Sequence, residues 1–143
     1  ADSFDMLLVP GGPGARTEVE NPAVLGWLNS AASQSDITMS VCTGSALLAK
    51  AGLLDGRKAT SNKMSFAWVM AQGPNVDWVA RARWVEDGPL FTSSGVSAGM
   101  DMSLAVIERL LGRDKAHEVA RYAEYDWHED ASTDPFADHY GLS

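Results

Sequence analysis

The run Phe4-Asp5-Met6-Leu7-Leu8-Val9, halted by Pro10-Gly11-Gly12-Pro13-Gly14, constrains the fold more than any other stretch of this sequence. A short apolar run closed by glycine and proline reads as a strand buried on both faces. Such strands lie in parallel sheets, whose neighbours need long crossovers, usually helices. The residues that follow supply them. Asn21-Pro22 opens a helix, with Asn as N-cap and Pro at the first helical position, and Val24, Leu25, Trp27 and Leu28 carry an apolar stripe to about Gln34. Ile37 to Val41 is a second strand, Cys42-Thr43-Gly44 a tight turn, and Ser45 to Ala51 a helix closed by Gly52. Asp55-Gly56 turns the chain into a short strand around Ala59-Thr60, and a helix over Met64 to Ala71 ends at Gly73-Pro74.

The pattern then changes. Trp78-Val79-Ala80 and Arg83-Trp84-Val85 flank a kink, and Glu86-Asp87-Gly88 turns into a strand over Leu90 to Ser93, a hairpin by its Asp-Gly signal. Gly95 to Gly99 reads as a loop. Asp101 to Leu111 is a helix, with Met100, Leu104, Ile107 and Leu111 at helical spacing and Gly112 as C-cap. Asp114 to Tyr125 is the last helix, and the acidic, turn-rich tail from Glu124 to Ser143 is expected to wrap the surface. Strands alternating with helices predict an α/β fold with a mainly parallel sheet and helices on both faces.

Length and charge narrow the function. The 143 residues amount to one domain, expected to bury roughly 68% of the unfolded chain's surface. The net charge of -8 argues against a nucleic-acid contact surface, which needs clustered Lys and Arg. No apolar run is long enough for a membrane span, and no leader pattern stands in these residues. The single cysteine rules out an internal disulfide framework and fits a reducing, cytoplasmic compartment.

The chemistry concentrates at Met39-Ser40-Val41-Cys42-Thr43-Gly44-Ser45. A strand running straight into small residues and then a helix has the layout of a nucleophile elbow, with Cys42 in the nucleophile position. Free amides and the dipole at a helix start favour a thiolate. The alternative for Cys42 is a small buried core residue, a common fate of free cysteine. Gly11 and Gly12 end the neighbouring strand, where adjacent glycines let amides face a cavity. With the Thr43 amide they can form an oxyanion hole, or the segment is a plain strand-to-loop turn. The histidines, His117, His128 and His139, are spaced by 11 residues, unlike a zinc motif, and are expected at the surface. Asn62, after the third strand, cannot serve as a general base. The glycines of Gly95 to Gly99 permit close approach to the elbow helix, and Asp101 suits a first helical turn. No Gly-x-Gly-x-x-Gly follows a strand and no metal spacing appears, so neither cofactor nor metal is expected.

These residues together resemble the DJ-1/PfpI superfamily of class I glutamine amidotransferase-like proteins. The likeness is carried by Asp5-Met6-Leu7-Leu8-Val9-Pro10-Gly11-Gly12, Ser40-Val41-Cys42-Thr43-Gly44-Ser45, Ala51-Gly52-Leu53-Leu54-Asp55-Gly56-Arg57-Lys58-Ala59-Thr60, and Gly95-Val96-Ser97-Ala98-Gly99-Met100-Asp101. Cys42-Thr43-Gly44 and the Gly52 to Thr60 stretch are most similar to the isonitrile hydratase branch. A related branch forms the amino-terminal domains of some transcription regulators. The resemblance implies a flavodoxin-like sandwich, a homodimer, and Cys42 as elbow nucleophile. It implies that Gly11, Gly12 and Gly44 shape the substrate site and that the Gly12 and Thr43 amides hold a developing negative charge. The Thr43 side chain matches a residue that assists catalysis in that branch. The implied reaction on a small-molecule substrate converts an isocyanide and water to an N-substituted formamide through a thioimidate on Cys42. Glyoxalase III or deglycase-like chemistry, and a redox-sensing or ligand-binding role without turnover, are the alternatives.

The sequence departs from that family in two ways. Asn62 stands where many relatives have His, which speaks against protease-like activity. The family's acidic catalytic residue lies in an amino-terminal strand–helix unit that these residues do not contain. The expectation is therefore a carboxy-terminal major part, residues 1–143, of a single split or nicked domain. A companion polypeptide would supply the first strands and the acid.

Overall fold

The computed structural model describes residues 3–142. In chain order the elements are β1 (Phe4–Val9), α1 (Ala15–Glu18), α2 (Pro22–Ser33), β2 (Ser35–Val41), α3 (Gly44–Lys50), β3 (Lys58–Ala59), α4 (Phe66–Gln72), β4 (Asp77–Trp78), β5 (Trp84–Asp87), β6 (Leu90–Ser93), α5 (Val96–Leu111), α6 (Arg113–Tyr122) and α7 (Phe136–His139). Four strands form the main sheet in the order β1-β2-β6-β5. The β1–β2 and β2–β6 pairs are parallel, and only the β5–β6 hairpin is antiparallel. The fold is thus α/β with a mainly parallel, flavodoxin-like sheet.

Local chemistry explains most element ends. The Asn21 side chain accepts the Ala23 amide at 3.1 Å and Pro22 takes the first helical position, so α2 starts where its cap dictates. Gly112, at φ 93°, separates α5 from α6. Two apolar cores flank the sheet. One joins Leu7 and Val9 of β1 to Leu28, Leu48, Leu54 and Val69 under α2, α3 and α4. The other joins Ile37, Met39, Trp84 and Phe91 to Met102 and Val106 of α5.

Six expectations are corrected. β1 is buried on one face only. Leu7 and Val9 are inside, while Phe4, Met6 and Leu8 are 42%, 49% and 52% exposed. Met6 and Leu8 lie in register with Ile37 and Met39, but among the described residues no element reaches far enough along that face to cover them. The strand at Ala59 belongs to a separate two-stranded sheet with β4, not to the main sheet. α5 begins at Val96, so most of the expected Gly95 to Gly99 loop is helical. This lets Gly99 press on the elbow strand rather than the elbow helix, for a Cβ there would sit 2.8 Å from Val41 Cγ1. α6 ends at Tyr122 and is followed by one more short helix, α7. Asp101, expected in a first turn, lies deeper in α5 and is fully buried. The tail does wrap the body: the Arg83 amide donates to the Ala131 carbonyl at 2.7 Å and the Asp134 amide to Arg81 at 2.8 Å.

Candidate functional site

The carboxyl end of β2 runs into α3 through Cys42, whose φ of 57° is left-handed. A non-glycine residue pays about 1–2 kcal/mol for that conformation, so neighbouring contacts must hold it. They do so from both peptide sides. The Cys42 amide donates to the Ser93 and Ser94 carbonyls at 3.2 and 3.1 Å. Its carbonyl accepts the Ser61 and Ser45 hydroxyls at 2.9 and 3.1 Å. The side chain is left half-buried.

The loop after β1 lies directly against this turn, and only glycine permits it. A Cβ on Gly11 would sit 2.6 Å from both the nitrogen and Oγ1 of Thr43. A Cβ on Gly44 would overlap the Val9 carbonyl oxygen. Gly12, at φ 125°, has open space around it. Gly11 and Gly44 therefore act by close packing, and Gly12 faces the cleft.

That cleft has a volume of about 350 Å³. Cys42 and Thr43 form one wall, Gly12, Pro13 and Arg16 a second, and Asn62, Met64 and Ser65 the third. Cys42, Thr43 and Gly12 are thus brought together, but the two amides expected to share an anion differ. The Gly12 amide donates to Thr43 Oγ1 at 2.9 Å, so it is engaged in this state. The Thr43 amide has no hydrogen-bond partner among the described residues. Thr43 is buried, and its Oγ1 also donates to the Gly12 carbonyl at 3.4 Å, so the threonine side chain and Gly12 are tied in both directions.

Sequence reasoning missed Arg16, Met64 and Ser65 as cleft residues. The Arg16 guanidinium lies 4.3 Å from the Trp68 ring centroid, which places a cation at the cleft rim. Its only local signal was a position two residues past the Gly12-Pro13-Gly14 turn. It also missed Lys63, which sits behind the third wall. Lys63 Nζ donates to Thr60 Oγ1 at 2.8 Å, to the Ala82 carbonyl at 2.7 Å and to the Ser61 carbonyl at 3.1 Å. Burial pulls its pKa down to about 8, against the pull of the Asp134 carboxylate at 3.7 Å. His128 and His139 are exposed and His117 is partly so, its ring 5.2 Å from that of Trp127. None of the histidines lines the Cys42 cleft. Among the described residues no cluster of three or more His, Cys, Asp or Glu is placed to hold a metal ion, and no helix is long and apolar enough to cross a membrane.

Residues 1–109 match the DJ-1/PfpI family. The chain is 37% identical over 122 residues to an isonitrile hydratase of Pseudomonas putida, covering 85% of this chain and 52% of that protein. It is 30% identical over 122 residues to the protein dj-1beta of Drosophila melanogaster, covering 85% of this chain and 64% of that one. Among solved structures, a DJ-1 superfamily protein from Salmonella typhimurium superposes with a TM-score of 0.72 at 30% identity, over 87% of this chain and 66% of that chain. The chain therefore spans about half to two-thirds of the length of these relatives.

Proposed function

The chain belongs to the DJ-1/PfpI family, and from that premise we propose that it carries the nucleophile of a cysteine-dependent hydratase acting on isonitriles. One observation carries this reading. Cys42 is held in a left-handed elbow in the wall of a cleft that Thr43 and Gly12 also line. Likeness to the P. putida isonitrile hydratase supports the choice of substrate.

In the proposed reaction the Cys42 thiolate adds to the terminal isocyanide carbon, forming the S–C bond while a proton reaches that same carbon. The product is a thioimidate. Water then adds to the imidate carbon, the C–S bond breaks with return of the thiol, and an N-substituted formamide leaves. The Thr43 amide would hold the charge that develops on nitrogen as water adds to the imidate carbon. The residues lining the cleft include no carboxylate. We assign the proton to the acidic residue that the family resemblance implies, which is not among these lining residues. The assembly we propose is a homodimer of such units in the cytoplasm.

The test is formamide production from cyclohexyl isocyanide by the wild type and Cys42→Ala. The variant should fall to the uncatalysed background, and a variant as fast as wild type would overturn the reading. A second reading, a redox-responsive or ligand-binding module, is favoured by the engaged Gly12 amide and by likeness to dj-1beta. Peroxide titration followed by intact mass separates the two, because a redox sensor must oxidise at Cys42 faster than free cysteine. Methylglyoxal consumption tests the glyoxalase alternative in the same preparations.

A further inference from the structure

Beside the Cys42 cleft, and sharing Asn62 and Met64 with it, lies a second cavity of about 190 Å³. Phe136 and Tyr140 line its far side. Met64, Phe136 and Tyr140 are 72%, 56% and 45% exposed, although all are large and apolar. Single exposed apolar residues need no explanation, but a group gathered from remote segments around one concavity marks a binding site.

The wall they form is anchored rather than loose. Ala137, between Phe136 and Tyr140, is 1% exposed. Asp134 Oδ1 accepts the Phe136 amide at 3.0 Å, and its other oxygen faces the buried Lys63 ammonium. Arg81 Nη2 pairs with Asp138 at 2.7 Å. A wall fixed before binding loses little entropy when a ligand enters.

We propose that Met64, Phe136 and Tyr140 form a subsite that seats the apolar substituent of a small electrophile attacked by Cys42. This rests on Cys42 being the reacting group. The size fits: an apolar cavity of about 150 Å³ holds a benzene ring, so this one takes a single ring or an alkyl group of similar bulk. The Asn62 and Met64 rim that the two cavities share sets this seat next to the Cys42 cleft, which suits two parts of one molecule.

The experiment compares Cys42 alkylation by chloroacetamide and by N-benzyl-2-chloroacetamide. Both form an S–C bond as the C–Cl bond breaks and chloride leaves, so the ratio of their rates reads the subsite alone. Intact mass follows labelling, with Cys42→Ala as background. In the wild type the benzyl probe should react about tenfold faster, and the ratio should fall to about 1–2 in Phe136→Ala and Met64→Ala. Phe136 is more than half exposed, so its truncation should leave the fold intact, which circular dichroism checks. Tyr140→Ala provides an independent variant. A ratio near one in the wild type, or one unchanged in the variants, overturns the subsite. Dimers in native mass spectrometry that dissolve in Phe136→Ala with an unchanged ratio overturn it in favour of a contact between copies. Isonitrile turnover is a separate readout: a selective ratio without turnover keeps the subsite and defeats the hydratase reading. A Cys42 that neither probe labels defeats both.

Discussion

Asp101 and Asp134 are both buried carboxylates that tie the last third of the chain to the body, yet their surroundings differ. Asp101 is satisfied on each oxygen. Oδ2 receives Arg83 Nε and Nη2, both at 2.7 Å, while Oδ1 receives the Tyr125 hydroxyl at 2.9 Å and the His128 amide at 3.0 Å. Burial, then the bond to this carboxylate, raises the Tyr125 pKa and keeps its proton in place. Asp134 has one good contact, to the Phe136 amide, while its Oδ2 stands 3.7 Å from Lys63 without a hydrogen bond. The cations differ too. An arginine cannot shed its proton, and a buried lysine can. The first aspartate makes a permanent knot that does not line the Cys42 cleft. The second makes a labile one beside it, under the wall formed by Asn62 and Met64.

Breaking the permanent knot should cost most. Asp101→Ala leaves Arg83 charged, buried and unpaired, and should lower unfolding free energy by about 3–5 kcal/mol in urea titrations. A loss below about 1 kcal/mol would show that water or another group replaces the carboxylate. Asp134→Ala should cost less, about 1–3 kcal/mol at pH 6, because Lys63 can relieve its isolation by losing a proton.

The two losses should also respond differently to pH. The folded pKa of Lys63, about 8, lies below its ordinary 10.5. Between those values the unfolded chain holds a proton that the folded chain has released, so this group makes wild-type stability rise with pH in that window. Removing Asp134 takes away the charge that supports the proton and moves the lysine lower still. The rise then begins earlier in the variant. The deficit of Asp134→Ala should narrow by about 1–2 kcal/mol between pH 5.5 and 8.5 and stay flat above. The Asp101→Ala deficit should not change over that range, and parallel curves for the two variants would erase the distinction. The smallest effect belongs to the outer anchor of the tail. The Arg81–Asp138 pair is 58% and 70% exposed on its two side chains, so Arg81→Ala should cost about 0.2–1 kcal/mol and less in high salt.

Much of the fold was legible in the sequence wherever the cause is local. Asn21-Pro22 announces α2, and Asp87-Gly88 announces the β5–β6 hairpin. The elbow was legible for the same reason, since a strand, a small-residue turn and a helix follow one another directly around Cys42. The first turn of α5 was not. Val96, Ser97 and Gly99 are poor helix formers around Ala98, and the helix extends over them with Gly99 lying on Val41, a tertiary contact that overrides propensity.

The sequence by itself determined the order of the main strands and longer helices, the elbow and its glycines, because hydrophobic period, caps and turn residues act over a few positions. Only the tertiary structure decided that Phe4, Met6 and Leu8 face outward, that the Thr43 hydroxyl holds the Gly12 amide, and that Asp134, Phe136 and Tyr140 return to the wall behind Asn62. Those outcomes depend on which surfaces meet across long stretches of chain, and no local pattern encodes the far side of such a contact.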